Sequence, residues 1–389
     1  MYRILISGYY GFNNIGDESI LKAVVESLRM DIDDVEITVL SQNPTDTAER
    51  FSVTAVDRRS FKAIIPAIHN CDLLISGGGS LLQDVTSRKS ILYYLLIMQF
   101  ARIMRKPFFI YSQGIGPIKS DFNKKLTARV LRKAGGIVVR DEFSKEFLSE
   151  IGIPLERIVI TADPVLAIPK VELDSGYEIL RSSTANSKTA DTPTDYDIFE
   201  SEETVSKNLS YVGFAIKDSD PSSEFIAEIC DSIEWMIRER GYKAVLIPFH
   251  FSQDVAVVEH MEKVLTARGF DEDIICLKQK YLTDEMLSII GNMDLLVGVR
   301  LHALIHAAIM EVPMMAISYD PKVNSFMHSI GMKAMCSIYD FKSDFFKEEF
   351  DRTVERKEQI KARISDNLLR LKSSLKQNQI MITELLGRR

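Results

Sequence analysis

The decapeptide Gly298-Val299-Arg300-Leu301-His302-Ala303-Leu304-Ile305-His306-Ala307 carries the residues best suited to chemistry. An apolar run at 294–297 leads into it and a helical pattern at 303–309 leads out, so Arg300 and His302 are predicted at a strand-to-helix turn. In open α/β sheets ligands bind at such turns, and the amides of the following helix attract anions. A guanidinium beside a titratable imidazole suits an acidic substrate: one grips it, the other moves a proton near neutral pH. His302 and His306 lie one helical turn apart, a spacing that suits two metal ligands. Position 303 is alanine rather than glutamate and no cysteine is near. Zinc is therefore disfavoured, no metal is expected, and His306 reads as packed core.

Other polar groups fall at the ends of predicted strands. Tyr319-Asp320-Pro321-Lys322 ends the next one, which puts Lys322 near the same crevice; alone it would read as a solvated surface lysine. Arg140-Asp141 ends an earlier strand. Asp141 reads as a helix cap, and Arg140 either pairs with Asp141 or Glu142 or grips a carboxylate or phosphate with two hydrogen bonds. The loop from Tyr9 to Glu18 joins the first strand to the first helix. It has neither the GK[ST] ending of a phosphate-binding loop nor a GxGxxG pattern. Asn14 and Gly16 allow tight backbone approach to a ligand, and Asp17 is either the cap of that helix or an acceptor for a substrate hydroxyl. Gly77-Gly78-Gly79-Ser80 is predicted to open a helix after a strand, with Gln83 and Asp84 in its first turns. Three bare residues there either cradle an anion or sugar or pack closely against a neighbour.

The elements that would position these residues alternate. Strands are expected at 2–8, 36–40, 71–76, 107–113, 136–140 and 157–163, with helices at 19–29 and after 141. The pattern resumes with strands at 211–216, 243–248, 274–277, 294–299 and 314–319, a helix at 225–240, and Gly241, Gly269 and Gly291 where helices should end. Such alternation implies a mainly parallel sheet covered by helices on both faces. Between the halves, 172–208 is polar, without period, and carries nine acids against three bases; it is expected to be a flexible insert. Residues 353–385 read as long polar helices able to lie back across the first domain. The expected division is 1–170, an insert at 171–208, 209–345, and terminal helices at 346–389.

The chain has 389 residues and a net charge of −7, most of it in that insert, so the rest is close to neutral and no nucleic-acid footprint appears. Four scattered cysteines without CxxC spacing favour a reducing, cytoplasmic setting. The apolar run 91–98 is too short to span a bilayer. Basic residues Arg102, Arg105 and Lys106 follow it, which fits a buried helix with cations at its C-terminal end better than a membrane-surface contact.

Taken in order, Gly8…Gly16-Asp17-Glu18, Gly77 to Asp84, Ser112-Gln113-Gly114-Ile115-Gly116-Pro117, Arg140-Asp141, Asp163-Pro164 and Arg300-Leu301-His302 resemble the polysaccharide pyruvyl transferases. The set is most similar to the CsaB-type ketalpyruvyl transferases of bacterial cell-wall glycans, and the resemblance covers nearly the whole chain. It implies a glycosyltransferase-B-like α/β fold of two Rossmann-like domains with a cleft between them. It implies phosphoenolpyruvate as co-substrate and no cofactor. The implied acceptor is an N-acetylmannosamine residue of a lipid-linked disaccharide, and the product a 4,6-linked pyruvate ketal that anchors S-layer proteins. A lipid-linked acceptor also implies work at the inner face of the membrane.

On that reading Arg140, Arg300 and Lys322 bind the donor, and His302 is the general acid that protonates the donor's methylene carbon. Anions of the bound donor favour the protonated ring. Asp17 orients or deprotonates the acceptor hydroxyl, and Asn14, Gly16, Gly78, Gly79, Ser80, Gln83 and Gln113 form the substrate-binding loops. The alternative is a nucleotide-sugar glycosyltransferase or epimerase of the same fold, which would need ribose-binding carboxylates in the second half. A non-catalytic glycan-binding module would not need the cation–imidazole cluster.

Overall fold

A computed structural model describes residues 1–85, 90–185, 210–218 and 220–387. The chain forms two compact units, Met1–Pro169 with Asn367–Arg389, and Lys170–Asp366.

The first unit begins β1 (Tyr2–Tyr10), α1 (Ile15–Asp31), β2 (Val35–Ser41), α2 (Pro44–Phe51), β3 (Thr54–Asp57) and α3 (Phe61–Asn70). It continues through β4 (Leu73–Ser76), β5 (Gly79–Leu82), α4 (Ser90–Ile103), β6 (Phe108–Ile115), α5 (Asp121–Leu131), β7 (Gly136–Val139), α6 (Glu142–Glu150) and β8 (Ile158–Ile160). The strands pair in the order β3-β2-β1-β4-β6-β7-β8, with β5 alongside β6, and every pairing is parallel. β4, β6 and β7 are buried along their whole length, as expected of parallel strands covered on both faces. Leu5, Leu74, Ile110 and Ile137 lie in one core with Tyr94 and Met98 of α4.

The second unit runs α7 (Asp174–Ala185), β9 (Tyr211–Ala215), α8 (Glu224–Arg240), β10 (Lys243–Leu246), α9 (Phe251–Ala267), β11 (Ile274–Cys276) and α10 (Thr283–Gly291). Then follow β12 (Leu295–Gly298), α11 (Leu301–Ile309), β13 (Met314–Ser318), α12 (Pro321–Ser329), β14 (Cys336–Ser337) and α13 (Ser343–Glu355). Its six strands are ordered β11-β10-β9-β12-β13-β14, again all parallel. Val212, Leu246, Val297 and Ile317 lie in its core. α14 (Lys357–Ser374) carries the chain out of this unit, and α15 (Lys376–Gly387) belongs to the first. There Asn378 Nδ2 donates to Ser112 Oγ at 2.8 Å.

Both sheets reverse their strand order once, between β1 and β4 in the first and between β9 and β12 in the second. A reversal opens a crevice at the C-terminal strand ends, because the two flanking connections leave on opposite faces. The two most promising stretches of sequence lie at these points: the loop after β1 with the glycine run after β4, and the Arg300 turn after β12.

Two expectations fail here. The glycine run does not open a helix. Gly79 to Leu82 is instead strand β5, pairing with β6 through Gly79↔Gln113 and Leu82↔Ile115. Leu81 and Leu82 join the core of that unit, so backbone pairing and burial win over the helical reading of a short Ser-Leu-Leu-Gln run. The other failure is in 172–208. Residues 174–185 form α7, seated on α10 by Gly176 N donating to Ser288 Oγ at 2.8 Å. A Cβ at Gly176 would lie 2.3 Å from the Ser288 carbonyl carbon, so only glycine permits this approach. The remainder of the expected insert, 186–209, lies outside the described residues.

Candidate active site

In the first unit the loop after β1 is fixed from several sides. Asn14 caps α1, its Oδ1 accepting from Gly16 N at 3.2 Å. Asp17 is therefore not the cap. It sits in the first turn, accepts a short hydrogen bond from Asn14 Nδ2, and faces Gly79, where a Cβ would lie 3.0 Å from Asp17 Oδ1. Glu18 reaches back to accept from Gly11 N at 2.8 Å.

Burial pushes the Glu18 carboxyl up to about 7. The folded state thus keeps this proton up to about pH 7, whereas a free glutamate releases it near 4.5. The resulting stabilisation is full below pH 4.5 and lost as pH rises through 7. In urea titrations wild type should lose about 3 kcal/mol relative to Glu18→Gln between pH 4 and pH 8. A stability difference that does not change with pH would contradict this.

The glycines after β4 are explained by what they touch. A Cβ at Gly77 would meet Tyr10 Oη at 2.0 Å, and one at Gly78 would meet Ile20 at 2.9 Å and Pro164 at 3.2 Å. Gly79 has φ +87. Close packing, rather than a helix N-terminus, is what requires a bare backbone. Gln113 is fully buried and donates to the Gly77 carbonyl at 2.9 Å, so it shapes this turn. Gln83 turns onto its own chain, its Oε1 accepting from Val85 N at 2.9 Å. Asp84 accepts from Lys119 N at 2.7 Å, Ser120 N at 3.0 Å and Asn123 Nδ2 at 3.1 Å, tying β5 to the start of α5.

Asp141 caps α6, with Oδ1 accepting from Ser144 N at 2.8 Å. Arg140 does pair with Asp141, Nε to Oδ2 at 3.5 Å, though the pair is largely buried rather than on the surface. Its Nη1 donates to Asp163 Oδ2 at 2.8 Å and its Nη2 to Ser80 Oγ at 3.0 Å, and both charged side chains are buried. Gly114 lets the guanidinium lie flat, since a Cβ there would be 2.7 Å from Nη2. Asn14, Asp17, Gly79, Ser80 and Arg140 thus form one continuous patch.

Sequence reasoning missed Arg58 next to it. This buried side chain follows β3 and lies 4.6 to 5.9 Å from the ring centroids of Tyr9, Phe12, Tyr93 and Tyr94. It donates to the Gly8 carbonyl at 2.9 Å and to Tyr94 Oη at 3.2 Å. Its cation–π contacts hold the loop after β1 against α4.

In the second unit the strand ends converge. Arg300 is the residue before α11, and His302, half-buried, lies in that helix's first turn. Arg300 grips Asp254 of α9 with two bonds, Nε to Oδ2 at 3.0 Å and a shorter one from Nη2 to Oδ1. Asp254 also accepts from His250 N at 2.8 Å. Burial, followed by Arg300, pulls the His250 imidazole down to about 4, so this ring is neutral at physiological pH.

Lys217, just after β9, places Nζ 4.3 Å from the Tyr319 ring centroid, and Lys322 in α12 places its own at 5.2 Å. Lys322 also pairs with Asp320 at 3.5 Å. Burial raises the Tyr319 phenol, but Lys322 and Lys217 outweigh it and hold the phenol below the usual tyrosine range. Burial, then Arg300 and Lys322, keeps the Lys217 ammonium below the usual lysine range, with Tyr319 opposing. The crowding of cations at one switch point makes this the candidate site for an anion.

Lys217 and His250 were absent from the sequence reading, although each lies a few residues past a short apolar run, as Arg300 does. His306 is fully buried, its ring edge-on to Phe249 at 5.1 Å. Among the described residues no group of three or more His, Cys, Asp or Glu is arranged to hold a metal ion.

Known proteins extend this picture. The crystal structure of UDP-GlcNAc 2-epimerase from Neisseria meningitidis bound to UDP-GlcNAc is similar over the full length of both chains, with a TM-score of 0.61 and 13% identity. HepE from Anabaena, solved with UDP and glucose, is similar over the full length of both, with a TM-score of 0.64 and 12% identity. At such identities the likeness shows the fold alone: two Rossmann-like domains of the glycosyltransferase-B type. The amylovoran biosynthesis protein AmsJ of Erwinia amylovora is 23% identical over 387 residues, covering 86% of this chain and 88% of that protein. The polysaccharide pyruvyl transferase profile matches residues 14–321, from the cap of α1 to the start of α12. The chain therefore belongs to the polysaccharide pyruvyl transferase family, as an enzyme of pyruvyl transfer in polysaccharide biosynthesis.

Proposed function

We propose that the enzyme transfers pyruvate from phosphoenolpyruvate to an N-acetylmannosamine residue of a lipid-linked cell-wall disaccharide, at the cytoplasmic face of the membrane. The product is a 4,6-ketal, of the kind that anchors S-layer proteins, and inorganic phosphate is released. The observation that carries this reading is the gathering of Lys217, Arg300 and Lys322 at the β9/β12 switch point, beside His302 at a helix N-terminus. Phosphoenolpyruvate brings a carboxylate and a phosphate, and these three cations and the α11 amides supply the complementary charge. Arg300 Nη1 has no acceptor among the described residues, which leaves that edge of the guanidinium for the donor.

In the proposed sequence His302 gives a proton to the methylene carbon, and positive charge develops at C2. A sugar hydroxyl adds to C2 and loses its proton to a general base, the role that the resemblance gives to Asp17. The C2–O bond to phosphate breaks, phosphate leaving with the bonding pair and taking up one of the hydroxyl protons, and the second hydroxyl adds to C2 and returns a proton to the His302 ring as the ketal closes. The fixed cations stabilise the departing phosphate without reorganising. Arg140 already holds Asp163 and Ser80, so donor binding by Arg140 would require it to give up one of these partners.

The test is phosphate release from phosphoenolpyruvate with synthetic lipid-linked disaccharides, run beside UDP-sugars as rival donors. Acceptor-dependent release with ketal formation is expected; turnover of a UDP-sugar alone would overturn the reading. Asp17→Asn keeps the size and one acceptor oxygen for Asn14 but cannot take a proton. It should lower kcat by about 10²-fold or more with donor affinity unchanged. Loss of donor affinity instead would remove Asp17 from the acceptor side.

A further inference from the structure

Outside both clusters, the outer face of α3 and α4 has a composition unlike the rest of the chain. The two helices with their flanks, 58–71 and 90–106, contain six Lys and Arg, of which Arg58 is buried, and no Asp or Glu, in a protein of net charge −7; the exposed Asp57 stands just before them. α3 packs beside α4, with Phe61 edge-on to Phe100 at 6.0 Å. The inner face of α4, including Ile91, Tyr94, Leu95, Ile97 and Met98, fills the core. Its outer stripe is also apolar: Leu92 is 37% exposed, Leu96 42% and Ile103 73%, and the 4- and 7-residue spacings put all three on one line. Phe61, 43% exposed, extends that line onto α3. Exposed Arg59, Lys62, Arg102 and Arg105 lie in sequence beside its ends.

We infer that this face docks on an anionic lipid surface, α4 lying in the plane of the membrane. Four exposed apolar side chains beside four exposed cations, with Asp57 the nearby acid and none within α3 or α4, match the two terms that hold a peripheral helix on such a surface, apolar insertion and attraction to acidic headgroups. Of the described helices, none is long and apolar enough to cross a membrane, so contact from one side is what the face allows. The charge argues against an ordinary protein partner: a general interface has no reason to exclude every acid from two neighbouring helices. The inference deepens the reading of a lipid-linked acceptor, since docking would bring the enzyme to the surface that displays it.

Co-sedimentation of the full chain with vesicles tests this without donor or acceptor. Binding to phosphatidylcholine vesicles containing phosphatidylglycerol should exceed binding to phosphatidylcholine alone by at least about tenfold, and should fall with salt. The pairs Arg102→Glu with Arg105→Glu, and Leu96→Glu with Ile103→Glu, should each reduce it by at least about tenfold. Thermal melting and transfer to a water-soluble acceptor should be unchanged, because none of these residues belongs to either cluster. Background binding by wild type, or variants that bind as wild type does, would overturn the inference. So would self-association of wild type that Leu96→Glu with Ile103→Glu abolishes, which would make the face a subunit interface. Failure of phosphoenolpyruvate as donor with vesicle binding intact would remove the donor reading and leave the docking standing.

Discussion

Replacing His302 with glutamine should lower kcat for pyruvyl transfer by about 10²- to 10⁴-fold, the range expected for loss of a positioned general acid. Glutamine keeps a polar group in the first turn of α11 and cannot deliver a proton at neutral pH. The fold should survive, because His302 is only half-buried, unlike His306 one turn later, which is enclosed beside Phe249. Donor affinity should change little if the imidazole acts mainly on the methylene carbon. In deuterium oxide the wild-type product should carry one deuterium in its new methyl group. Unchanged turnover in His302→Gln would remove this imidazole from the mechanism and move the proton source elsewhere.

The second large effect belongs to Arg300. Its side chain is 13% exposed and that of its partner Asp254 is 1% exposed. Arg300→Met should cost about 3 kcal/mol of stability, because a buried carboxylate loses its bidentate partner. It should also weaken phosphoenolpyruvate binding at least about tenfold. Arg300→Lys separates the two effects. A lysine can still face Asp254 and recover part of the stability, but it lacks the planar fork whose Nη1 edge is proposed to meet the donor. Denaturant melts and calorimetric titration with phosphoenolpyruvate read the two quantities independently. Wild-type affinity in Arg300→Lys would show that the guanidinium serves Asp254 and nothing else.

Much of this was legible in the sequence, for physical reasons. Parallel strands buried on both faces are short apolar runs, so β1, β6, β9, β12 and β13 stood out. The Arg300 turn was visible because an apolar strand, a polar break and an apolar helix follow one another without gap. β5 was not visible: four residues cannot show a period, and only pairing with β6 decides between strand and helix. α7 was hidden by its polar composition, which reads as loop until Gly176 is seen packed on Ser288.

Asp17 was open between cap and substrate contact. The structure gives the capping role to Asn14, because the asparagine's oxygen reaches Gly16 N. Lys217, His250 and Arg58 were missed because nothing local distinguishes them. Each gains meaning only from neighbours far away in sequence: Tyr319 for Lys217, Arg300 for His250, and four rings for Arg58. Arg140 shows the opposite case. Its place at a strand end suggested a ligand, and Asp163 already occupies its Nη1.

The most direct test of the anion site is a crystal structure of the enzyme with phosphoenolpyruvate. The donor's carboxylate and phosphate should lie within hydrogen-bond distance of Arg300 Nη1 and of Lys217 or Lys322, with the methylene carbon facing His302. Density for the donor in a place that touches none of Lys217, Arg300, His302 and Lys322 would contradict the account.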